Sequence, residues 1–181
     1  AEILTAQYPG AYVVWNILGA SRDEIGMFDE AINAYKKSIL LKSDYADAHF
    51  NMGVTLKNQG NYHVSLEAYK KSISLKPDYA EAYNNKGALL QELGKFDDAM
   101  EALNKSISLK PDYAEAYYNM GLALHYQDRF QQAIQAYNKT LSLKPDYAEA
   151  HYNLSFTFLK IGRLKEGLEQ YEWRWKTAQF L

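Results

Sequence analysis

No cysteine occurs among the 181 residues of this sequence. Disulfides, thiolate nucleophiles and cysteine-based zinc or iron–sulfur sites are therefore excluded. Neither sign of charge dominates, because 20 Lys and Arg residues are balanced by 22 Asp and Glu residues, for a formal net charge of −2. Nucleic acids and anionic membrane surfaces attract proteins with a basic excess, so we expect neither as a partner.

Long hydrophobic runs are also absent. No apolar run approaches the roughly 20 residues that span a bilayer, and the first residues, AEILTAQYPGAYVVW, lack the basic start of a signal peptide. Hydrophobic residues still make up 48% of the chain, which is enough to bury a core. These features predict a protein with no membrane span, and we expect it in the cytoplasm.

Proline and glycine are scarce, at four and ten residues, and they recur periodically. One glycine series returns every 34 residues, at Gly19, Gly53, Gly87 and Gly121. The phrase SLKPDYAEAYNN is nearly copied twice at the same interval, as SLKPDYAEAYYN and SLKPDYAEAHYN. Such a period predicts one supersecondary unit stacked several times, with each copy burying its apolar face on its neighbours.

Apolar side chains follow a helical spacing twice within each period, so each unit is predicted to be a helical hairpin. One face of a second helix is marked by Tyr62, Leu66, Tyr69 and Ile73. First helices are expected to begin with a capping box, such as Asp112 with Glu115. They are expected to end at a glycine in the left-handed conformation, with Asp128 taking that place in one unit.

The repeated residues resemble the tetratricopeptide repeat family, whose pattern is Trp-x2-Leu-Gly-x2-Tyr, then Ala-x3-Phe, then Pro. The matches in the first unit are Trp15, Leu18, Gly19, Ala31 and Tyr35. The matches in the fourth unit are Tyr117, Met120, Gly121, Leu124, Ala133, Tyr137 and Pro145. The resemblance implies an all-α fold, a right-handed α-solenoid of about five helix-turn-helix units.

The register divides the chain into a single repeat array. The predicted repeats cover residues 12–45, 46–79, 80–113, 114–147 and 148–181. Residues 1–11 are predicted to be the tail of a preceding repeat or a cap, and we expect the chain to be a fragment of a larger protein. Ser155 and Gly167 depart from the family pattern, which predicts that the fifth repeat is an atypical terminal one.

No catalytic or metal-binding arrangement is recognisable in the sequence. The chain has no Gly-x-Ser-x-Gly elbow, no glycine-rich phosphate loop and no His-Glu-x-x-His motif. Two of its four histidines, His49 and His151, share a register, which is the Trp position of the family pattern. We expect these two to be packing residues. The sequence therefore predicts no catalysis, no metal and no cofactor.

An asparagine recurs once per repeat on the predicted first helices, whereas Ile17 takes this position in the first repeat. The row consists of Asn51, Asn85, Asn119 and Asn153. The family resemblance implies that first helices line a concave groove, where a carboxamide could pair with both the N–H and the C=O of a bound peptide. The row resembles the asparagine ladder of O-linked N-acetylglucosamine transferases. The alternative is that these asparagines serve packing or hydration.

The neighbours of this row differ along the chain. In the first three repeats they are polar and include Asn84, Gln91 and Glu92. In the last two repeats the predicted contact residues are Tyr118, Leu122, His125, Tyr126, Tyr152 and Phe156. Tyrosine is a favoured contact residue, so we predict an anchor pocket for a peptide at this aromatic end. The alternative is that several of these side chains pack between adjacent first helices.

Two residues near the C-terminus break their registers. Trp173 stands where earlier repeats carry solvated lysines such as Lys37, so we expect an exposed ring that docks onto a downstream domain or a second copy of the chain. Arg174 stands where earlier repeats carry small residues such as Ser38, which we interpret as room for a following helix. Arg174 is therefore predicted to obstruct another standard repeat.

Three functions remain open from the sequence. The first is a binding module that docks a peptide or protein segment and performs no chemistry. The second is a substrate-presenting arm of a larger enzyme, such as a bacterial O-GlcNAc-transferase-like glycosyltransferase, because the ending GLEQYEWRWKTAQFL resembles the close of repeat arrays that precede a glycosyltransferase-like domain. The third is a scaffold in which the ends of arrays stack on one another.

Overall fold

The computed structural model describes residues 2–173, which form eleven α-helices joined by short turns. The helices are α1 (Glu2–Gln7), α2 (Tyr12–Glu24), α3 (Phe28–Leu41), α4 (Ala46–Asn58), α5 (Tyr62–Leu75), α6 (Ala80–Glu92), α7 (Phe96–Leu109), α8 (Ala114–Tyr126), α9 (Phe130–Leu143), α10 (Ala148–Lys160) and α11 (Leu164–Tyr171). None of these helices combines the length and apolarity that crossing a bilayer requires.

The helices pair as the periodicity predicts. First helices begin every 34 residues, at Tyr12, Ala46, Ala80, Ala114 and Ala148. Each of the pairs α2–α3, α4–α5, α8–α9 and α10–α11 packs as a hairpin, and α3 packs on α4 as α9 packs on α10. The predicted all-α architecture of repeated helical hairpins is therefore confirmed.

The chain divides into two compact units between Leu89 and Leu90, within α6. We call the part up to Leu89 the N-terminal unit and the part from Leu90 the C-terminal unit. In the C-terminal unit, α8, α9 and α10 share a core whose buried members are Leu124, Ala133, Ile134, Ala136, Tyr137, Leu154 and Phe158. This core holds the first helices α8 and α10 beside each other.

The turns between paired helices have the predicted backbone conformation. Gly26, Gly60, Gly94 and Gly162 have φ angles between 71° and 82°, and Asp128 has a φ of 57°. At the first of these turns, the N–H of Met27 donates to the carbonyl of Arg22 at 2.9 Å, which is the hydrogen bond of a helix end closed by a left-handed residue.

The predicted capping box of Asp112 and Glu115 is wrong. Helix α8 begins at Ala114, and Tyr113 occupies the N-cap position without a side-chain capping hydrogen bond. Asp112 lies in a tight turn, which the N–H of Tyr113 closes by donating to the carbonyl of Lys110 at 3.1 Å. The Lys110 ammonium lies 4.6 Å from the centre of the Tyr113 ring. This arrangement fixes the start of the helix one residue later than an Asp112 cap would.

Candidate functional site

The asparagine row in the N-terminal unit is used for contacts between neighbouring side chains. Asn51 donates from Nδ2 to Oδ1 of Asn16 at 3.1 Å, which links α4 to α2. Asn84 donates from Nδ2 to Oδ1 of Asn85 at 3.2 Å. Asn84 is 4% exposed, and its predicted place among the peptide-binding residues stays a prediction.

In the C-terminal unit, Asn153 links the two first helices. Its Nδ2 donates to the Tyr118 hydroxyl at 2.9 Å and to the Glu149 carbonyl at 3.0 Å. The carboxamide oxygen of Asn153 takes no part in these two bonds. Asn119 and Asn153 are both half-buried on the first helices. The Nδ2 group of Asn153 therefore serves packing between helices, which is the alternative to peptide binding. Its Oδ1 atom can serve a ligand.

Tyr118 is packed into this helix pair. Its ring stacks on Tyr147 with centroids 5.0 Å apart, and it packs with Leu122 against the core of the C-terminal unit. Burial raises the pKa of Tyr118 to about 12, with the Glu149 carboxylate adding to the shift. Tyr118 and Leu122 thus contribute to the packing of the C-terminal unit, and their role in peptide binding stays a prediction.

Exposed aromatic side chains lie on the same helices. Tyr126 at the end of α8 is 64% exposed, and Phe156 on α10 is 42% exposed. The Phe156 ring meets Tyr152 edge-on at 4.8 Å and meets Tyr171 edge-on at 6.2 Å. Tyr152 also stacks on Tyr171 with centroids 6.3 Å apart. Exposed apolar rings beside ordered ones provide the surface that a partner side chain can cover.

Tyr171 joins this aromatic group because of a substitution in its own repeat. In the fourth repeat, a Cβ on Gly121 would lie 2.5 Å from Cε1 of the buried Tyr137 ring. Ser155 occupies the register of Gly121 in the fifth repeat, and its Cβ therefore fills the space that the tyrosine ring would need. Tyr171 is half-buried against Tyr152 and Phe156 instead. The sequence pattern marks Ser155 as a departure, but it does not by itself reveal this consequence.

His125 lies between the two first helices. Its Nδ1 is 2.8 Å from the Thr157 hydroxyl, and its ring meets Phe130 edge-on at 5.5 Å. Burial, reinforced by the Lys160 ammonium, lowers the pKa of His125 below its ordinary value. The imidazole is therefore predominantly neutral at pH 7 and has one N–H to donate.

A cleft opens beside Tyr126, at the C-terminal end of α6. It has a volume of about 360 Å³ and is lined by Gln91, Glu92, Gly94, Phe96 and Tyr126. The Phe96 and Tyr126 rings stack with centroids 6.0 Å apart and planes inclined by 23°. The sequence singles out Gln91, Glu92 and Tyr126 separately. The signal that connects them is that Glu92 and Tyr126 share a register 34 residues apart, which places them side by side on neighbouring first helices.

Side chains at the Trp position of the family pattern form the same hydrogen bond in several repeats, to a proline carbonyl in the turn before the helix. Trp15 donates from Nε1 to the Pro9 carbonyl at 2.9 Å, and Tyr117 donates to the Pro111 carbonyl at 3.3 Å. Nε2 of His151 lies 2.9 Å from the Pro145 carbonyl in the same geometry. Within residues 2–173, no group of histidines and carboxylates is arranged to hold a metal ion.

The expectation that the Trp173 ring is exposed is wrong, whereas its docking onto a downstream domain or a second copy stays a prediction. Its ring is half-buried and stacks on His151, with centroids 3.9 Å apart and planes within 5°. Arg174 lies outside the described residues. Ser38, which shares the register of Arg174, is fully buried and donates to the Tyr12 carbonyl at 2.8 Å. That register therefore faces the first helix of its own repeat, and its small size is explained by this contact rather than by a following helix.

Sequence comparison identifies the family of this chain. The family described as TPR repeat matches residues 24–60, 56–94 and 90–128, and the family described as tetratricopeptide repeat matches residues 114–147. The chain belongs to the tetratricopeptide repeat family. The resemblance seen in the sequence is confirmed at this level, and the link to glycosyltransferase-bearing arrays stays a prediction.

Individual relatives of this tetratricopeptide repeat protein cover different shares of it. The peroxisomal targeting signal receptor of Candida albicans is 39% identical over 54 residues, which are 30% of this chain and 9% of the receptor. The crystal structure of MamA is 28% identical and matches with a TM-score of 0.78 over 92% of this chain and 91% of MamA. YrrB, described as a TPR protein with an unusual peptide-binding site, is 16% identical and matches with a TM-score of 0.73 over 97% of this chain and 90% of YrrB. The likeness to YrrB shows the fold alone.

Proposed function

We propose that the first helices of the C-terminal unit, α8 and α10, bind a peptide or protein segment, and that these repeats perform no chemistry of their own. The observation that carries the proposal is the pair of exposed rings, Tyr126 at 64% and Phe156 at 42% exposure, on helices whose other aromatic side chains are buried or half-buried. Aromatic anchors that bury large rings dominate the energetics of protein interfaces.

The polar residues of the same face supply the backbone contacts in this proposal. Asn153 offers its carboxamide oxygen as an acceptor, because its Nδ2 is occupied by the Tyr118 hydroxyl and the Glu149 carbonyl. Asn119 stands in the same register one repeat earlier. Acceptors at a constant interval hold an extended peptide through its N–H groups and do not read its sequence. Selectivity then comes from the aromatic side chains.

The site that we propose does not include the asparagine row of the N-terminal unit. Asn51 and Asn85 already form hydrogen bonds with Asn16 and Asn84. YrrB, which shares this fold, is itself described as having a peptide-binding site, and this is consistent with the proposal. The predicted cytoplasmic location and the predicted docking of the C-terminal end stay predictions.

The proposal is tested by selecting peptides from a random display library on the purified chain and measuring their Kd by fluorescence anisotropy. Phe156→Ala is the informative variant, because Ala88 occupies the same register two repeats earlier and shows that the helix tolerates alanine there. We expect Phe156→Ala to weaken binding about tenfold or more, as interface anchors do. Val54→Ala, in the same register of the N-terminal unit, is the matched control and should leave Kd unchanged.

Two results would contradict the proposal. One is a library that yields no peptide with saturable binding to the chain. The other is a set of bound peptides whose Kd responds to Val54→Ala and is insensitive to Phe156→Ala. The melting temperatures of both variants, measured in parallel, separate a loss of contact from a loss of fold.

A further inference from the structure

The cleft beside Tyr126 has two aromatic walls. Phe96 and Tyr126 stack with an offset, and the Tyr126 ring is 64% exposed, so one of its faces is open to a ligand. The cleft volume of about 360 Å³ exceeds the needs of a single long side chain. Exposed tyrosine faces attract lysine and arginine side chains through the negative face of the ring. The walls alone are therefore compatible with either an apolar or a cationic side chain.

The charges around the cleft favour a cation. Glu92 lines the cleft itself, at the C-terminal end of α6, where the helix dipole also has its negative pole. A second cavity of about 360 Å³ shares Gly94 and Phe96 with the first, and its lining includes Asp97, Asp98 and Lys95. Carboxylates therefore outnumber ammonium groups among the residues that line the two cavities. Asp97 is further oriented by Gln127, whose Nε2 donates to its Oδ1 at 3.0 Å.

Gln91 adds an acceptor to the same cleft. Its Oε1 is buried and finds no hydrogen-bond partner among the described residues. A buried acceptor without a donor costs free energy, which a donor from a ligand can recover. Gln91 lines the cleft next to Glu92, so its side-chain amide belongs to the surface that an occupant meets.

From these three observations we infer that the cleft between Tyr126, Phe96 and Glu92 binds a basic side chain of the docked segment, with arginine as the best fit. A planar guanidinium stacks on an aromatic face while its five N–H groups donate to neighbouring oxygens. Tyr126 supplies the face, Glu92 supplies the carboxylate and Gln91 supplies the amide oxygen. An acidic side chain is repelled here, and an apolar one donates to neither the Glu92 carboxylate nor the Gln91 amide oxygen. This inference rests on the proposed function, since it names the chemistry of the segment bound by the same face.

The direct test uses small probes and needs no knowledge of the natural ligand. N-acetyl-L-arginine amide is titrated into the ¹⁵N-labelled chain, with N-acetyl-L-citrulline amide as a neutral probe of the same shape. We expect the arginine probe to shift the amide signals of Gly94 and Tyr126 saturably, and the citrulline probe to bind at least about fivefold more weakly. Equal shifts with both probes would overturn the inference, because charge would then not be recognised.

A pair of matched variants assigns the effect to Glu92. Glu92→Gln removes the charge and keeps the shape, and we expect it to weaken the arginine probe about fivefold. Glu24→Gln is the control, because Glu24 occupies the repeat position of Glu92 in the N-terminal unit. One repeat after Glu92 this position is Tyr126, whereas one repeat after Glu24 it is Asn58, which is not aromatic. Equal weakening by both variants would show a general charge effect and would contradict a site at Glu92.

The selected peptides separate this inference from the proposed function. Peptides that require Phe156 and contain no basic residue would overturn the inference and leave peptide binding intact. A library without any saturable binder would contradict the proposed function, and the arginine titration would still decide whether the cleft recognises a cation. Peptides enriched in arginine whose affinity falls in Glu92→Gln and not in Glu24→Gln would support both.

Discussion

Glycine positions in the first helices decide where the aromatic rings of the second helices lie. A Cβ on Gly121 would lie 2.5 Å from the ring of Tyr137, which is fully buried, so the ring occupies the volume that any side chain would need. Ser155 shows the opposite case, since Tyr171 remains half-buried there and contributes to the candidate binding face. The hydroxymethyl group of Ser155 therefore coincides with a tyrosine that lies nearer the surface than Tyr137 does.

Gly121→Ala tests this explanation. Overpacking a well-filled core costs about 1–3 kcal/mol, which exceeds the gain of about 1 kcal/mol that alanine brings to a helix interior. Because the added Cβ would lie only 2.5 Å from a buried ring, we expect the upper part of that cost, about 2–3 kcal/mol, and hence a net loss of about 1–2 kcal/mol in the free energy of unfolding by urea. Gly10→Ala is the control, because nothing lies within 4 Å of the added Cβ at that position. Gly121→Ala that is as stable as Gly10→Ala would show that the Tyr137 ring moves aside without cost.

The pH dependence of stability reports on His125. Its pKa is lowered in the folded chain by burial and by Lys160, so the unfolded chain binds the proton more readily. Stability from the neutral ring is present above the unfolded pKa of about 6.5 and is lost as the pH falls toward the folded pKa. We expect His125→Gln, which introduces the residue found at Gln91 in the same register, to lose less stability than the natural chain between pH 7 and pH 5. An equal loss in both proteins, measured by urea unfolding at each pH, would contradict this assignment.

At the scale of helices, α8 and α10 are held together by side chains that also belong to the candidate site. Asn153 donates to the Tyr118 hydroxyl at 2.9 Å, and Tyr118 stacks on Tyr147 at the start of α10. His125 and Thr157 form a second contact between the same helices at 2.8 Å. The spacing of the exposed Tyr126 and Phe156 rings therefore depends on a polar bridge between two helices.

A double-mutant cycle measures this bridge. Tyr118→Phe removes the hydroxyl that accepts from Asn153, and Asn153→Ala removes the donor. We expect a coupling energy of about 0.5–1.5 kcal/mol in urea unfolding, as for one net hydrogen bond. Additive effects of the two changes would show that Asn153 does not bridge the helices, and its whole carboxamide would then be available to a ligand.

The helices and their turns were predictable because their signals are local and repeated. Apolar spacing located each helix, and the left-handed φ of Gly26, Gly60, Gly94, Gly162 and Asp128 followed from one register. The start of the first helices was not predictable from the capping-box spacing. The first residue of helix α8 depends on Tyr113, which occupies the N-cap position, and on the preceding turn, which contains Asp112.

Much of the site was not predictable, because burial depends on which side chains meet across helices. Asn84 and Tyr118 share a register, yet Asn84 is 4% exposed and hydrogen-bonded to Asn85, whereas Tyr118 is part of an aromatic stack. Phe96 lies on a second helix and belongs to the site only because its ring contacts Tyr126. Trp173 became half-buried because His151 offers a flat ring at the Trp position of the family pattern.

At the scale of the whole chain, one fold carries two different surfaces. The first helices of the N-terminal unit present polar side chains, several of which are paired with one another. Those of the C-terminal unit present Tyr126, Tyr152 and Phe156, each in contact with another aromatic ring. The repeat supplies the same backbone positions in both units, so the difference in binding that we propose arises from the side chains alone.

Mapping a selected peptide on the full chain by ¹H–¹⁵N NMR tests the central claim most directly. We predict that amide shifts concentrate on α8 and α10, around Tyr126 and Phe156, with small changes on the first helices α2 and α4. Glycine signals help the mapping, because Gly121 lies on α8 and Gly53 lies at the same register on α4. Shifts concentrated on α2 and α4, or on the second helices α9 and α11 alone, would contradict peptide binding by the first helices of the C-terminal unit.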